Sequence, residues 1–263
     1  VTWELTDDEF KVLCNRYLDG ALPAPLSYSS RTPSLDEYER ELAALEAGLR
    51  ERLDSGLAAV FETLQHAEIQ IIMTAWRDSD YENPRTRILV HGARRGWNAV
   101  MVTQKMGETI YHSAGFTITE CEPEQLPARM VEQLPQTEAG SAPPLPMVFE
   151  PPERDPYEAR QSLAFDSFDD TAEVRSRAFW AQPAERSGWI RVLQGRSIFG
   201  PRGLMTMSAL WRDQPDDGRY LFELDEPEIR AVGASPERLV RRVGQYVDQV
   251  LRHMEARGEQ QQV

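Results

Sequence analysis

The chain has 263 residues and a formal charge of −14, from 43 acidic and 29 basic side chains. That length can bury a core, in one large domain or two modest ones, without a disulfide or metal staple. The acidic balance repels phosphate backbones and anionic lipid, so neither nucleic acid nor a membrane surface is expected as a partner.

Thr6 and Glu9 have the spacing of a capping box, and Leu5 and Phe10 that of a hydrophobic staple, which predicts a helix from Asp7. Phe10, Leu13, Cys14, Tyr17 and Leu18 would share one face, and Gly20 would end it. Ser34 and Glu37 repeat the capping signal. Leu35, Tyr38, Leu42, Leu45 and Leu49 then step by three and four, predicting an amphipathic helix to about Leu53. A further helical segment carries Leu57, Val60, Phe61 and Leu64.

From Ile69 the pattern becomes strand-like. "IQIIMTAW", "TRILVH", "WNAVMVTQ" and "TIYHSAG" are separated by the turn-like "DSDYENP", "GARRG" and "KMGE", predicting an antiparallel meander. Residues 117–121 and a helix beginning at "EPEQL" follow, with Pro123 in the first turn where proline is tolerated. Residues 135–152 hold six prolines, too many for a regular element to run through, and are expected to link a first half, 1–134, to a second, 153–254, within one domain. In the second half residues 155–182 read as helix, and "GWIRVLQG", "GLMTMSALW", "RYLFEL" and "EIRAVG" as strands. The capped "SPERLVRRVGQYVDQVLRHM" closes the chain, with Leu239, Val243, Tyr246, Val247 and Val250 on one face, before a tail, 255–263, that is expected to fray.

"EPEQLPARM" at 122–130 and "SPERLVRRV" at 235–243 match at Pro123 and Pro236, Glu124 and Glu237, Leu126 and Leu239, Arg129 and Arg242. In both halves helical sequence precedes a strand, "RILVHGARRG" or "IRVLQGRSIFG", expected to stop at a glycine, Gly92 or Gly195, with further strands between it and the matched helix. The order of elements repeats, which predicts two diverged copies of a helix, meander, helix unit, related by an approximate twofold and sharing one sheet. The alternative is that capped helices after strands look alike.

Chemistry is sparse. Two cysteines, Cys14 and Cys121, stand far apart in apolar settings, which fits buried thiols in a reducing compartment better than a disulfide scaffold. The opening "VTWELTDDEF" has no basic n-region, and no apolar run approaches the roughly 20 residues of a membrane span, so a cytoplasmic protein is expected. His66, His91, His112 and His253 lack the spacing of a zinc site, and "HGARRG" lacks that of a dinucleotide fingerprint and reads as a hairpin turn. The acidic clusters at 78–82 and 166–170 lack the glycine and terminal glutamate of a calcium loop and read as solvated turns. No metal or cofactor is expected. A catalytic pair assembled only by folding stays open.

The strands are apolar on both faces. Ile69, Ile71, Met73 and Ala75 alternate with Gln70, Ile72, Thr74 and Trp76, and Met205, Met207, Ala209 and Trp211 form one face. Such a sheet is covered on both sides, by its own helices or by a partner that methionine and tryptophan surfaces accommodate well. Tyr81, among Asp78, Asp80 and Glu82, has no evident core to join and is a candidate anchor; the alternative is a tyrosine folded back on the sheet.

These stretches resemble the EspG family, the ESX (type VII) secretion-associated proteins of mycobacteria and other actinobacteria. The resemblance rests on "ELTDDEFKVLCNRY" with "LPAPL", "HAEIQIIMTAWR", "RILVHGARRGWNAVMV" and "GRYLFELDEPEIRAVGASPERLVRRV", covers nearly the whole chain, and is weakest over 155–182. It implies a single α+β fold with quasi-twofold symmetry, a central antiparallel sheet and two flanking helical bundles. It also implies a cytosolic, non-enzymatic chaperone that binds the PPE subunit of PE and PPE heterodimers, shields an exposed apolar tip and uses no cofactor. The family's contact surface, formed by the central sheet, its first hairpin loop and the C-terminal bundle, falls on residues 76–85, the strand around 205–211 and the last helix. The candidates are Trp76, Arg77, Asp78, Asp80, Tyr81, Glu82, Met205, Met207 and Trp211. An enzyme would instead present a deep pocket of convergent polar groups, and a generic adaptor would differ in its client. The sequence carries no signal for oligomeric state.

Overall fold

A computed structural model describes residues 1–52, 55–148, 169–197, 200 and 203–258. The capping box forms as its spacing predicts: the Thr6 hydroxyl accepts from the Glu9 amide at 3.1 Å and the Glu9 carboxylate accepts from the Thr6 amide at 2.9 Å. In chain order the elements are β1 (Thr2–Leu5), α1 (Asp7–Tyr17), α2 (Leu35–Arg52), α3 (Ser55–Gln65), β2 (Ile69–Trp76), β3 (Ile88–Arg95), β4 (Asn98–Met106) and β5 (Ser113–Cys121). They continue as α4 (Leu126–Val131), β6 (Leu145–Pro146), α5 (Asp169–Ala181), β7 (Arg186–Gln194), β8 (Thr206–Gln214), β9 (Gly218–Glu223), β10 (Arg230–Gly233) and α6 (Pro236–Ala256). The fold class is α+β.

The ten strands form one sheet in the order β1-β5-β4-β3-β2-β7-β8-β9-β10-β6, antiparallel at every strand pairing. Its centre is the β2–β7 pair, where Met73 stands opposite Ile190 and Ile72 opposite Arg191. The period-2 alternation of these strands creates two unlike faces. On the inner face Ile69, Ile71, Met73, Ile190, Val192, Ala209 and Trp211 form one cluster with Leu126 and Met130 of α4 and Leu239, Val243, Tyr246 and Val250 of α6. Burying each large apolar chain there contributes on the order of 2 kcal/mol, so α6 is held by its stripe. The outer face is covered in two separate places. At one end α1 and α3 pack on β3, β4 and β5 through Phe10, Phe61, Phe116 and Val102. At the other, Phe179 and Trp180 of α5 pack on Leu210, Tyr220 and Phe222.

Several expectations need correction. β3 does not stop at Gly92 but runs to Arg95, with Gly92 paired to Ile71 and Met101. Gly92 is glycine because a Cβ there would stand 3.0 Å from the Met130 sulfur of α4. The hairpin turn lies beyond it, where Gly96 adopts φ +55° beside the exposed Trp97. Residues 109–112, read as strand, belong to the β4–β5 turn, which the Thr109 hydroxyl braces against His112 at 2.7 Å. β1 went unforeseen and pairs with β5 at the sheet's edge. The proline-rich stretch is not a free linker over its described part: Arg219 donates its amide to Glu138, Gly140 to Arg219 and Met147 to Ile229, so the chain straps β9 and β10. α2 stands further from the core than its leucine stripe suggests, with Leu35 exposed and only Leu49 of that stripe fully buried. Residues 155–168, the acidic cluster at 166–168, Leu53 and the tail from 259 lie outside the described residues.

Candidate functional site

Between the two outer helical groups, no helix among the described residues covers the middle of the sheet. The floor there comes from Gln70, Ile72, Thr74 and Trp76 of β2 and Trp189, Arg191 and Leu193 of β7, each partly or fully exposed. Their orientation follows from the alternation that turns Ile71, Met73, Ile190 and Val192 under α6. At one side the floor dips into a depression of about 200 Å³ lined by Gln70, His91, Leu22, Leu64 and Arg196. His91 is itself buried: its Nδ1 meets the Ala24 carbonyl at 2.7 Å, and burial pushes its pKa down to about 4, keeping the ring neutral.

At the other side stands the β2–β3 loop. Tyr81 is 52% exposed, yet it is held. Its ring meets Trp76 edge-on at 5.9 Å between centroids, the Arg87 guanidinium lies 3.9 Å over its face, and its carbonyl accepts from Arg87 Nη2 at 3.0 Å. The loop is moored to the second half by Asp78, whose carboxylate accepts from Arg212 Nη2 at 3.1 Å. Arg212 is almost fully buried, also donates to the Gln182 carbonyl at 3.2 Å, and lies 4.8 Å over the Trp180 ring. Burial lowers its pKa and the neighbouring Asp78 carboxylate opposes that shift. The Asp80 carboxylate accepts from the Asn83 side-chain amide at 2.7 Å, while Arg77, Asp80 and Glu82 face solvent.

The structure therefore divides the sequence-derived candidates. Trp76, Arg77, Asp78, Asp80, Tyr81 and Glu82 assemble beside the open floor. Met205 and Met207 are only partly buried but pack against the inner cluster, and Trp211 lies within it, fully buried with the Arg219 guanidinium 4.5 Å from its ring. The two groups are on opposite faces of the sheet. Sequence reasoning passed over Ile72, Trp189, Arg191, Arg87 and Arg212. Alternation does place Ile72 and Trp76 together, but a strand does not announce which of its faces a helix will cover. Among the described residues no group of three or more His, Cys, Asp or Glu side chains could hold a metal ion, and no helix is long and apolar enough to cross a membrane. Cys14, on α1, is buried in the outer cluster, which pushes its thiol up to about 12, whereas Cys121 packs toward the inner cluster across the sheet.

Fold and floor together define a class, the single-sheet α+β proteins that present a broad, partly apolar open face. The chain belongs to the EspG family, whose model matches residues 6–245. Among solved structures it is similar to the Mycobacterium tuberculosis type VII secretion system chaperone EspG5, determined in complex with a PE25-PPE41 dimer. That likeness has a TM-score of 0.55 at 14% identity, covers 94% of this chain and 96% of that chain, and is a likeness of fold. No curated protein gave a match.

Proposed function

We propose that this chain is a cytosolic, non-enzymatic chaperone of type VII secretion, which binds a PE/PPE-type heterodimer and keeps it soluble for export. The observation that carries the reading is the outer face of the two central strands, left uncovered by the described helices, in a member of the EspG family, beside a loop that presents Tyr81. A solvent-facing floor with Ile72, Trp76, Trp189 and Leu193 suits the covering of another protein's apolar tip, with Arg77, Asp80 and Glu82 as part of a polar rim. The outward positions of β2, β3, β7 and β8 hold no carboxylate and no cysteine, and their one histidine, His91, is buried against the Ala24 carbonyl, which favours docking over acid–base or thiol chemistry. The proposed contact residues are Trp76, Arg77, Asp78, Asp80, Tyr81 and Glu82. Met205, Met207 and Trp211 would act from the inner face, as support for the floor.

We also infer a duplicated origin. Supporting it, the sheet order reads outward from β2 and β7 as matching series, and Leu126 and Leu239 are equally buried in one cluster. Cys121, which ends β5, and Ala234, which directly follows β10, each stand two residues before the matched proline, the first packed against the inner cluster and the second within it. The halves would be 1–134 and 153–254.

The test is co-purification of the whole chain from its native cytosol, with the partner identified by mass spectrometry. A PE/PPE pair in stoichiometric amount is expected. A chain that elutes alone, or with an enzyme's substrate or an unrelated protein, would overturn the reading.

A further inference from the structure

The outer floor is chemically one-sided. The chain is strongly acidic, yet the outward positions of its four central strands carry no carboxylate, and at their centre stands an arginine. Arg191 is exposed on β7, with Ile72 opposite on β2 and Ser208 opposite on β8, neither of them charged. Its guanidinium lies 5.7 Å from the centroid of the Trp189 ring, which keeps it near the floor. No ion pair engages it among the described residues, whereas the neighbouring floor arginine, Arg212, is already matched to Asp78. A cation beside an aromatic ring, on a surface partly stripped of water by its apolar neighbours, gains most from a carboxylate brought in with the ligand.

We propose that Arg191 is the residue that reads charge on this face, so that the segment docked there pairs an apolar anchor with an aspartate or glutamate. The apolar anchor would lie on Ile72 and Trp189, and its acidic neighbour would accept from the Arg191 guanidinium. This rests on the reading of the outer face as the docking surface. It also separates clients: a segment with the same apolar residues flanked by lysine would meet like charge at the centre of the floor.

The test selects peptides directly and needs no identified client. A random 12-residue peptide library is panned in parallel on the full chain and on its Arg191→Gln, Arg191→Lys and Ile72→Glu variants. The expected result is wild-type selection of apolar residues together with an excess of Asp and Glu, lost in Arg191→Gln and kept in Arg191→Lys. Neither selection should survive in Ile72→Glu. The best wild-type peptide, titrated by fluorescence anisotropy, should bind Arg191→Gln roughly tenfold more weakly, as expected for one charge-assisted hydrogen bond. Peptides that depend on Ile72 but show no acidic excess, or an excess that survives in Arg191→Gln, would overturn the role of Arg191 and leave the docking surface standing. A failure to select any peptide that depends on Ile72 would overturn the docking surface, and this proposal with it.

Discussion

The central strands β2 and β7 carry two faces built from neighbouring residues with opposite outcomes. Inward, Ile71, Met73, Ile190 and Val192 are sealed beneath α6; outward, Ile72, Trp189 and Leu193 keep contact with solvent and Arg191 is exposed. Hydrophobicity does not separate them, since Ile71 and Ile72 are the same residue. What differs is the covering element among the described residues: α6 spans β7, β2 and β8, while no described helix lies over the outer middle. An apolar surface at the centre of a sheet, where an isolated domain would most readily be capped, is the feature that needs a partner to make sense.

The comparison predicts unequal costs for similar truncations. Ile190→Ala on the sealed face should lower unfolding free energy by about 3–4 kcal/mol in urea titrations, since it leaves a cavity that α6 cannot close. A loss below about 1 kcal/mol would mean that the inner face is not the core.

Acid should expose the second-largest effect. His91 is buried on the outer face and titrates at about 4 when folded, against 6.5 as its ordinary value. The unfolded chain therefore takes up the proton first, so stability contributed by the neutral ring is complete above pH 6.5 and declines as pH falls toward about 4. The decline is on the order of 3 kcal/mol. Urea titrations at pH 7 and pH 5, with His91→Gln alongside, check this: the gap between wild type and variant should narrow at the lower pH.

The open face should respond differently. Ile72→Ala is expected to cost under about 1 kcal/mol of stability, because the site is partly solvated already. Tyr81→Ala should change stability by at most about 0.5 kcal/mol yet weaken client binding by on the order of 2 kcal/mol in titration calorimetry. Client binding at wild-type affinity in that variant would remove the loop from the contact surface.

Much of the fold was legible where local chemistry is strong. The Thr6 capping box starts α1, the Ser235 hydroxyl caps α6 at 3.3 Å, and Leu239, Val243, Tyr246, Val247 and Val250 are all buried as their periodicity requires. What stayed hidden depends on distant partners. β1 is four residues long and pairs Thr2 with Thr119; β6 is two residues long and pairs Leu145 with Ala231. Segments that short carry too little alternation to be recognised alone. Gly92 misled for a related reason: a glycine inside a strand reads as a turn unless the helix pressed on it is known, and Met130 lies far along the chain. For the candidate site, the loop around Tyr81 stands out in the sequence because an aromatic ring among carboxylates is locally odd. The floor does not. Trp211 and Trp189 look equally suited to binding in sequence, and only α6 decides that the first is core.

The most direct test is to place one charge on each outcome of that division. Ile72→Glu leaves the inner cluster untouched and puts a carboxylate on the open floor, so it should keep the wild-type far-ultraviolet spectrum and melt within a few degrees of it, about 3 °C or less. The client that co-purifies with the wild-type chain, titrated into this variant, should show no measurable binding. Wild-type affinity in the folded Ile72→Glu protein would contradict the assignment of the outer face as the working surface.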